Sequence, residues 1–342
     1  MVYGHSGEFA RAAVDFEAAV LARDPEGTGR AFMGLRETFG RAGAGEVAGA
    51  GPRLAGVVAQ VPAGPRAVVA VIVGACVERG ADPVLSAPGL FDGLRESLED
   101  ALEFCALWEE GGGGDVPMPD DLGPSPEVVE RVGGLLAEGW WGMPQWQMAA
   151  LAHLNHPAVR RTVDPARRRE ALALLGRVSR VAGDAFKGLA YALRVLDDEQ
   201  VVVLHRESGT GYAVRISGIG DNFQLHTLLA DALVGGGHVA GHAPSAAEVD
   251  VCRDRQAHER ILTTGSFMMS APDGERVWNE GDPSDIPLVD GARLLVLDPP
   301  PYPHTWPSGR FFPDMAGDLV LERVLAPDEA ARWFARVAPA AA

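Results

Sequence analysis

Two polar, aromatic-rich stretches late in the chain hold the side chains best suited to chemistry. The first is Trp278-Asn279-Glu280-Gly281-Asp282-Pro283-Ser284-Asp285-Ile286-Pro287. The second runs from Asp298 through Pro299-Pro300-Pro301, Tyr302, His304 and Trp306 to Arg310. A carboxylate beside an imidazole is the least that acid–base or metal-assisted chemistry needs. Asp298, Glu280 and His304 are therefore candidate catalytic residues, with His226 or Asp221 as further members. Tyr, Trp and Arg are also enriched where one protein grips another. On that reading the binding set is Trp278, Asn279, Glu280, Asp282, Asp285, Tyr302, His304, Trp306 and Arg310. The prolines would hold the second stretch extended and cut the entropy of displaying aromatics. A plainer reading has the same aromatics and prolines packing over the end of a sheet. The two functional readings require the stretches to meet at one edge of one sheet.

The histidines offer a weaker possibility. His238 and His242 lie four apart in a glycine loop, with Cys252 and His258 downstream. Structural zinc sites pair ligands two to five residues apart, and only the first pair fits, so no metal is expected. His226 lies one step off the apolar stripe of its helix, which suits a half-buried, hydrogen-bonded residue. His153 and His156 flank a helix end, where positive charge is favourable. Cys76 and Cys105 fall in apolar stripes and read as core thiols. Arg253 would lower the pKa of Cys252 if that thiol were exposed. No G-x-S-x-G and no H-E-x-x-H occurs.

The elements that must position these residues centre on Tyr212–Gly237. Tyr212, Val214 and Ile216 alternate with Ala213, Arg215 and Ser217, the pattern of a strand with one buried face. Gly218-Ile219-Gly220 breaks it, Asp221 or Asn222 caps a helix, and Leu225, Leu228, Leu229 and Leu233 form its stripe. A strand, a G-x-G turn and a helix invite a dinucleotide-fold reading. The third glycine of G-x-G-x-x-G would fall at Phe223, and the strand comes from a hairpin rather than a βαβ unit. No cofactor is expected.

The remaining pattern predicts an α+β chain in two domains. Residues 1–196 read as an all-helical bundle or irregular α-solenoid with no clean repeat. Helices are expected at Glu8–Ala22, Arg30–Arg41, Leu54–Val61, Arg66–Glu78, a long one capped by Ser86, Gln145–Leu154 and Pro165–Leu196. A flexible loop falls near residues 111–126. Residues 197–342 read as an α+β domain with a mainly antiparallel sheet. Its strands are expected at Gln200–His205, Tyr212–Ser217, Gly265–Ser270, Arg276–Asn279, Arg293–Leu297 and Leu319–Val324. Ser245–Arg260 and Pro327–Val337 read as helices. Arg160, Arg161 and Arg167–Arg169 surround a helix start and oppose its dipole. Acidic partners are expected for them in residues 101–150.

The chain has 342 residues and a formal net charge of −17. Such a balance argues against a nucleic-acid or anionic-membrane partner. Residues 197–342 carry 22 acidic and 11 basic side chains, so the charge concentrates there. Lys187 is the single lysine among 30 basic residues, a bias typical of GC-rich bacterial genomes. Three scattered cysteines suggest a reducing compartment. No signal-like opening and no bilayer-length apolar run is present. The expectation is a bacterial cytoplasmic binding, scaffold or accessory protein whose partner is a protein or peptide. An enzyme of hydrolase type using the same loops is the alternative.

Overall fold

The structure, a computed structural model, describes residues 7–339. It divides into two compact units, one ending at Leu193 and one starting at Arg194. The described residues of the first fold into helices α1 (Glu8–Leu21), α2 (Pro25–Phe39), α3 (Ala44–Val57), α4 (Ala63–Glu78) and α5 (Pro83–Glu110). These are followed by α6 (Pro126–Val132), α7 (Gly134–Trp141), α8 (Met143–Leu154), α9 (Pro157–Thr162), α10 (Pro165–Ala182) and α11 (Lys187–Arg194).

The central element is α5, 28 residues long. Leu90, Leu94, Leu98, Ala101 and Cys105 recur at three- and four-residue spacing, and all are buried. Burying each leucine contributes about 1.5–3 kcal/mol. Phe104 adds a stacked contact with Trp140 at 5.2 Å. The cap of α5 is Asp82, whose Oδ1 accepts the Val84 amide at 2.9 Å, rather than Ser86. Ser86 lies inside the helix and donates to Nε2 of His153 at 2.8 Å. His153 Nδ1–H donates in turn to the Ala149 carbonyl at 2.8 Å. His153 is therefore a core residue and not a surface cation, and burial pushes its pKa down to about 4. α2 begins five positions early, because Asp24 caps it and Pro25 occupies its first turn.

Three of the grouped arginines make contacts to carbonyls or to a carboxylate. Arg160 donates to the carbonyls of Leu154 and Asn155 at 2.6 and 3.2 Å. Arg168 donates to Leu193 and Arg160 carbonyls, and Arg167 pairs with Asp92 at 2.7 Å. The carbonyl contacts satisfy chain-end groups that helices leave open, and Asp92, the partner of Arg167, lies outside residues 101–150.

The second unit is the α+β part. Its main sheet has 6 strands in the order β4-β6-β1-β2-β8, with β5 also paired to β6. The strands are β1 (Glu199–His205), β2 (Thr210–Ser217), β4 (Met268–Ser270), β5 (Leu288–Val289), β6 (Ala292–Asp298) and β8 (Asp318–Val324). Among the described residues only the β1–β6 pairing is parallel, so the sheet is mixed but mostly antiparallel. β3 (Leu262–Thr264) and β7 (Thr305–Pro307) form a separate two-stranded sheet. Helices are α12 (Asn222–Ala230), α13 (Ala246–Arg253) and α14 (Pro327–Phe334).

Tyr212, Val214 and Ile216 face the larger core together with Leu225, Leu228 and Leu229 of α12. Ala213, Val202 and Leu204 face a smaller core that includes Ala330 of α14. Both faces of the hairpin are covered, where the alternation alone implied one. The strand expected at Arg276–Asn279 is reduced to a single bridge, Ser270 to Arg276. The Val277 amide still reaches the Met269 carbonyl at 3.0 Å. Pairing then stops because Asn222 Nδ2 takes the Trp278 carbonyl at 2.9 Å. α13 ends seven residues early for a related reason. Its last carbonyls accept from Arg310 Nη1 (Val251), Gln224 Nε2 (Cys252) and the Gly317 amide (Arg253), which replaces another helical turn.

No helix among the described residues is long and apolar enough to cross a membrane.

Candidate functional site

The site starts at the first turn of α12. Asp221 caps the helix, accepting the Gln224 amide at 2.8 Å. Burial raises its carboxyl pKa to about 6, against the lowering effect of the Gln224 and Phe223 amides. The Gly220 amide donates to Gln224 Oε1 at 3.0 Å. A Cβ at Gly220 would stand 2.9 Å from Phe312 Cδ2. The G-x-G turn therefore serves close packing, and its Gly218 and Gly220 amides are engaged by the chain itself.

Asn222 and His226 are four apart, so they share one face of α12. That face grips the turn at 278–281. The Asn222 amide donates to Gly281 O at 3.0 Å, its Nδ2 donates to Trp278 O at 2.9 Å, and His226 Nδ1 meets Asn279 Oδ1 at 3.4 Å. On its other side His226 Nε2 lies 3.0 Å from the Ser266 amide and 3.2 Å from the Phe267 amide. Backbone amides only donate, so Nε2 carries the lone pair and Nδ1 carries the proton. That proton goes to Asn279 Oδ1. Asn279 Nδ2 is then directed at His304 Nε2, 3.4 Å away. His304 Nε2 accepts, and Nδ1 becomes the protonated nitrogen. Nδ1 of His304 is buried with no hydrogen-bond partner among the described residues.

Aromatic rings enclose this relay. Trp306 lies 4.9 Å from His226, 5.0 Å from His304 and 5.4 Å from Phe223, centroid to centroid. Phe267 stacks on His226 at 5.8 Å, and Tyr302 meets His304 at 5.9 Å. His226 is 1% exposed. Its burial, with a smaller effect of His304 beyond the opposing Asn279 bond, pushes its pKa down to about 4. It is fully buried rather than half-buried.

The two stretches singled out in the sequence thus meet through Asn279 and His304. The groups within them are used unevenly. Trp278 and Tyr302 are 59% and 56% exposed, and the Arg276 guanidinium lies over Trp278 at 4.4 Å. Trp306 is only 6% exposed, so it belongs to the interior of the site and not to its rim. Asp298 accepts from Arg206 Nε at 2.6 Å, His304 is bound to Asn279, and Glu280 is exposed. Asp282 is buried, pairs with Arg194 at 3.0 Å and caps the turn Pro283–Asp285. Burial raises its pKa despite the Ser284 bond and the arginine. Asp285 Oδ2 accepts the Asp282 amide at 3.2 Å. Arg310 spends its guanidinium on the carbonyls of Val251, Arg255 and Pro313. These three shape loops.

The metal quartet is not gathered. Cys252 is buried with its pKa raised to about 11 by desolvation, so the exposure on which a lowering by Arg253 depended is not met. The ring of His238 packs on Tyr212 at 5.9 Å, and the His242 carbonyl accepts from Ser266 Oγ. Among the described residues no group of three or more His, Cys, Asp or Glu is placed to hold a metal ion.

Sequence reasoning passed over Phe223, Phe267 and Ser308. The Asn222/His226 spacing is the one local signal that marked the shared face of α12. Compared with protein families, curated proteins and solved structures, the chain matches none.

Proposed function

We propose that the α+β unit is a recognition module that binds a protein or peptide through the 278–285 and 298–310 loops. It would serve a scaffold or accessory role in the bacterial cytoplasm. The observation that carries this reading is the state of the candidate bases. The lone pair of His226 is held by two backbone amides, that of His304 faces Asn279, and Asp298 is neutralised by Arg206. A general base needs a free lone pair within reach of the proton it takes. What the loops do present outward is aromatic surface, Trp278 and Tyr302, the second within a proline-rich segment. Such residues make binding anchors at low entropic cost.

Selection of a displayed random-peptide library against the full chain tests this. Peptides are expected to enrich, and Trp278→Ala or Tyr302→Ala should each weaken them about tenfold or more while leaving circular dichroism unchanged. Failure to enrich, or binding indifferent to both substitutions, refutes the proposal.

A further inference from the structure

Trp306 is the middle residue of β7, and His304 and Ser308 flank that strand on either side, so the three alternate along one extended stretch and share a face of it. Each carries a buried polar atom without a hydrogen-bond partner among the described residues: His304 Nδ1, Trp306 Nε1 and Ser308 Oγ. Trp306 and Ser308 are 6% and 8% exposed. Buried polar groups are nearly always paired, so three unpaired within residues 304–308 mark a place. Their polarity is defined. An indole nitrogen only donates. His304 Nδ1 is a donor because the relay from the Ser266 and Phe267 amides leaves the proton there. The serine hydroxyl does either.

We propose that this face of β7 binds a neutral hydrogen-bond acceptor, the carbonyl or amide of a peptide, through Trp306 Nε1–H and His304 Nδ1–H, with Ser308 Oγ as third partner. The peptide origin of that group rests on the recognition reading above; the acceptor chemistry does not. An amine or a metal cation finds no lone pair at the two fixed donors. An anion is disfavoured by charge, since residues 197–342 hold 22 acidic and 11 basic side chains. The flanking arginines are also engaged, Arg206 with Asp298 and Arg310 with carbonyls. The walls are the rings of Phe223, His226 and Trp306. Gly265 packs closely on His304 and Trp306: a Cβ there would come 2.7 Å from His304 Cε1 and 2.9 Å from Trp306 Cζ3. The donors have no exposed surface in this state, so the ligand enters as the exposed 299–303 segment yields at Tyr302, whose ring is 5.9 Å from His304.

The test uses the full chain labelled with ¹⁵N. The Trp306 indole cross-peak is identified by its loss in Trp306→Phe. Three probes are titrated to about 10 mM, which reports even millimolar affinity: N-acetylphenylalanine amide, phenylacetate and phenethylamine. The amide is expected to move the Trp306 indole proton saturably, and the other two are not. Ser308→Ala should weaken the amide about 3- to 10-fold by the same indole shift, the effect of one hydrogen bond. Ser308→Ala keeps the test open if the indole substitution unfolds the unit. No movement with any probe overturns the site, and a stronger response to phenylacetate overturns its neutral chemistry. Peptides that bind through Trp278 and Tyr302 without moving the indole would remove this site and keep the recognition reading. An indole response without any selected peptide would do the reverse.

Discussion

His226→Gln isolates the proton economy of the site. In the folded chain the pKa of His226 is lowered from 6.5 to about 4. A folded value below the unfolded one means that the unfolded chain binds the proton more tightly. The corresponding stability is complete above pH 6.5 and is lost as pH falls to 4. The span of roughly 2.5 pH units corresponds to about 3 kcal/mol, at a slope near 1.4 kcal/mol per unit. The cause is geometric: protonation would convert Nε2 from the acceptor of two amides into a third donor facing them. Glutamine keeps an oxygen able to accept from Ser266 or Phe267 and cannot titrate, but it loses ring contacts with Trp306 and Phe267. At pH 7 the variant should therefore be less stable by about 1–3 kcal/mol. By pH 4 that deficit should vanish or reverse. His153 has a similar acid liability in the helical unit, so the quantity to follow is the difference between variant and parent. Hydrogen exchange of β2 amides in a urea series at pH 7, 6, 5 and 4 reads the α+β unit alone. A variant-minus-parent difference that stays constant across that range refutes the buried neutral imidazole and the relay derived from it.

Other expectations follow from the same contacts. Asp221→Asn keeps an N-cap acceptor and removes a carboxyl whose pKa is raised to about 6. Stability from that raised value is complete below pH 3.8 and lost as pH rises through 6, so the variant should gain about 1–2 kcal/mol at pH 7 and nothing at pH 4 in thermal melts. Arg310→Lys gives up the fork that holds the Val251, Arg255 and Pro313 carbonyls. It should cost about 1–3 kcal/mol, with exchange rising first in α13. Arg168→Gln releases the Leu193 carbonyl and should lower the stability of the helical unit by about 1–3 kcal/mol; melting at the parent temperature would refute that clamp.

Much of the fold was legible. Leu90 to Cys105 at helical spacing defined α5, and the β1–β2 hairpin and the cap at Asp221 lie where periodicity and turn chemistry put them. The misreadings share a cause. β3 and β7 have three residues each, too few to show a period. α13 stops and the 276–279 strand fails because side chains from distant segments, Arg310, Gln224 and Asn222, take the carbonyls that would have extended them. In the two loops, residue types did not show which groups would be spent internally. Asp298 and Arg310 read as reactive or binding groups until Arg206 and the α13 carbonyls are in view.

Composition, spacing and capping residues by themselves determined that this chain is helical first and α+β afterwards, since those properties act over a few neighbouring residues. Which nitrogen of His226 and His304 holds its proton was decided only by tertiary structure. That choice is imposed by amides 40 and 41 residues away from His226 and passed on by Asn279 at a separation of 53. No local pattern encodes the direction of a hydrogen bond whose donor arrives from another part of the fold.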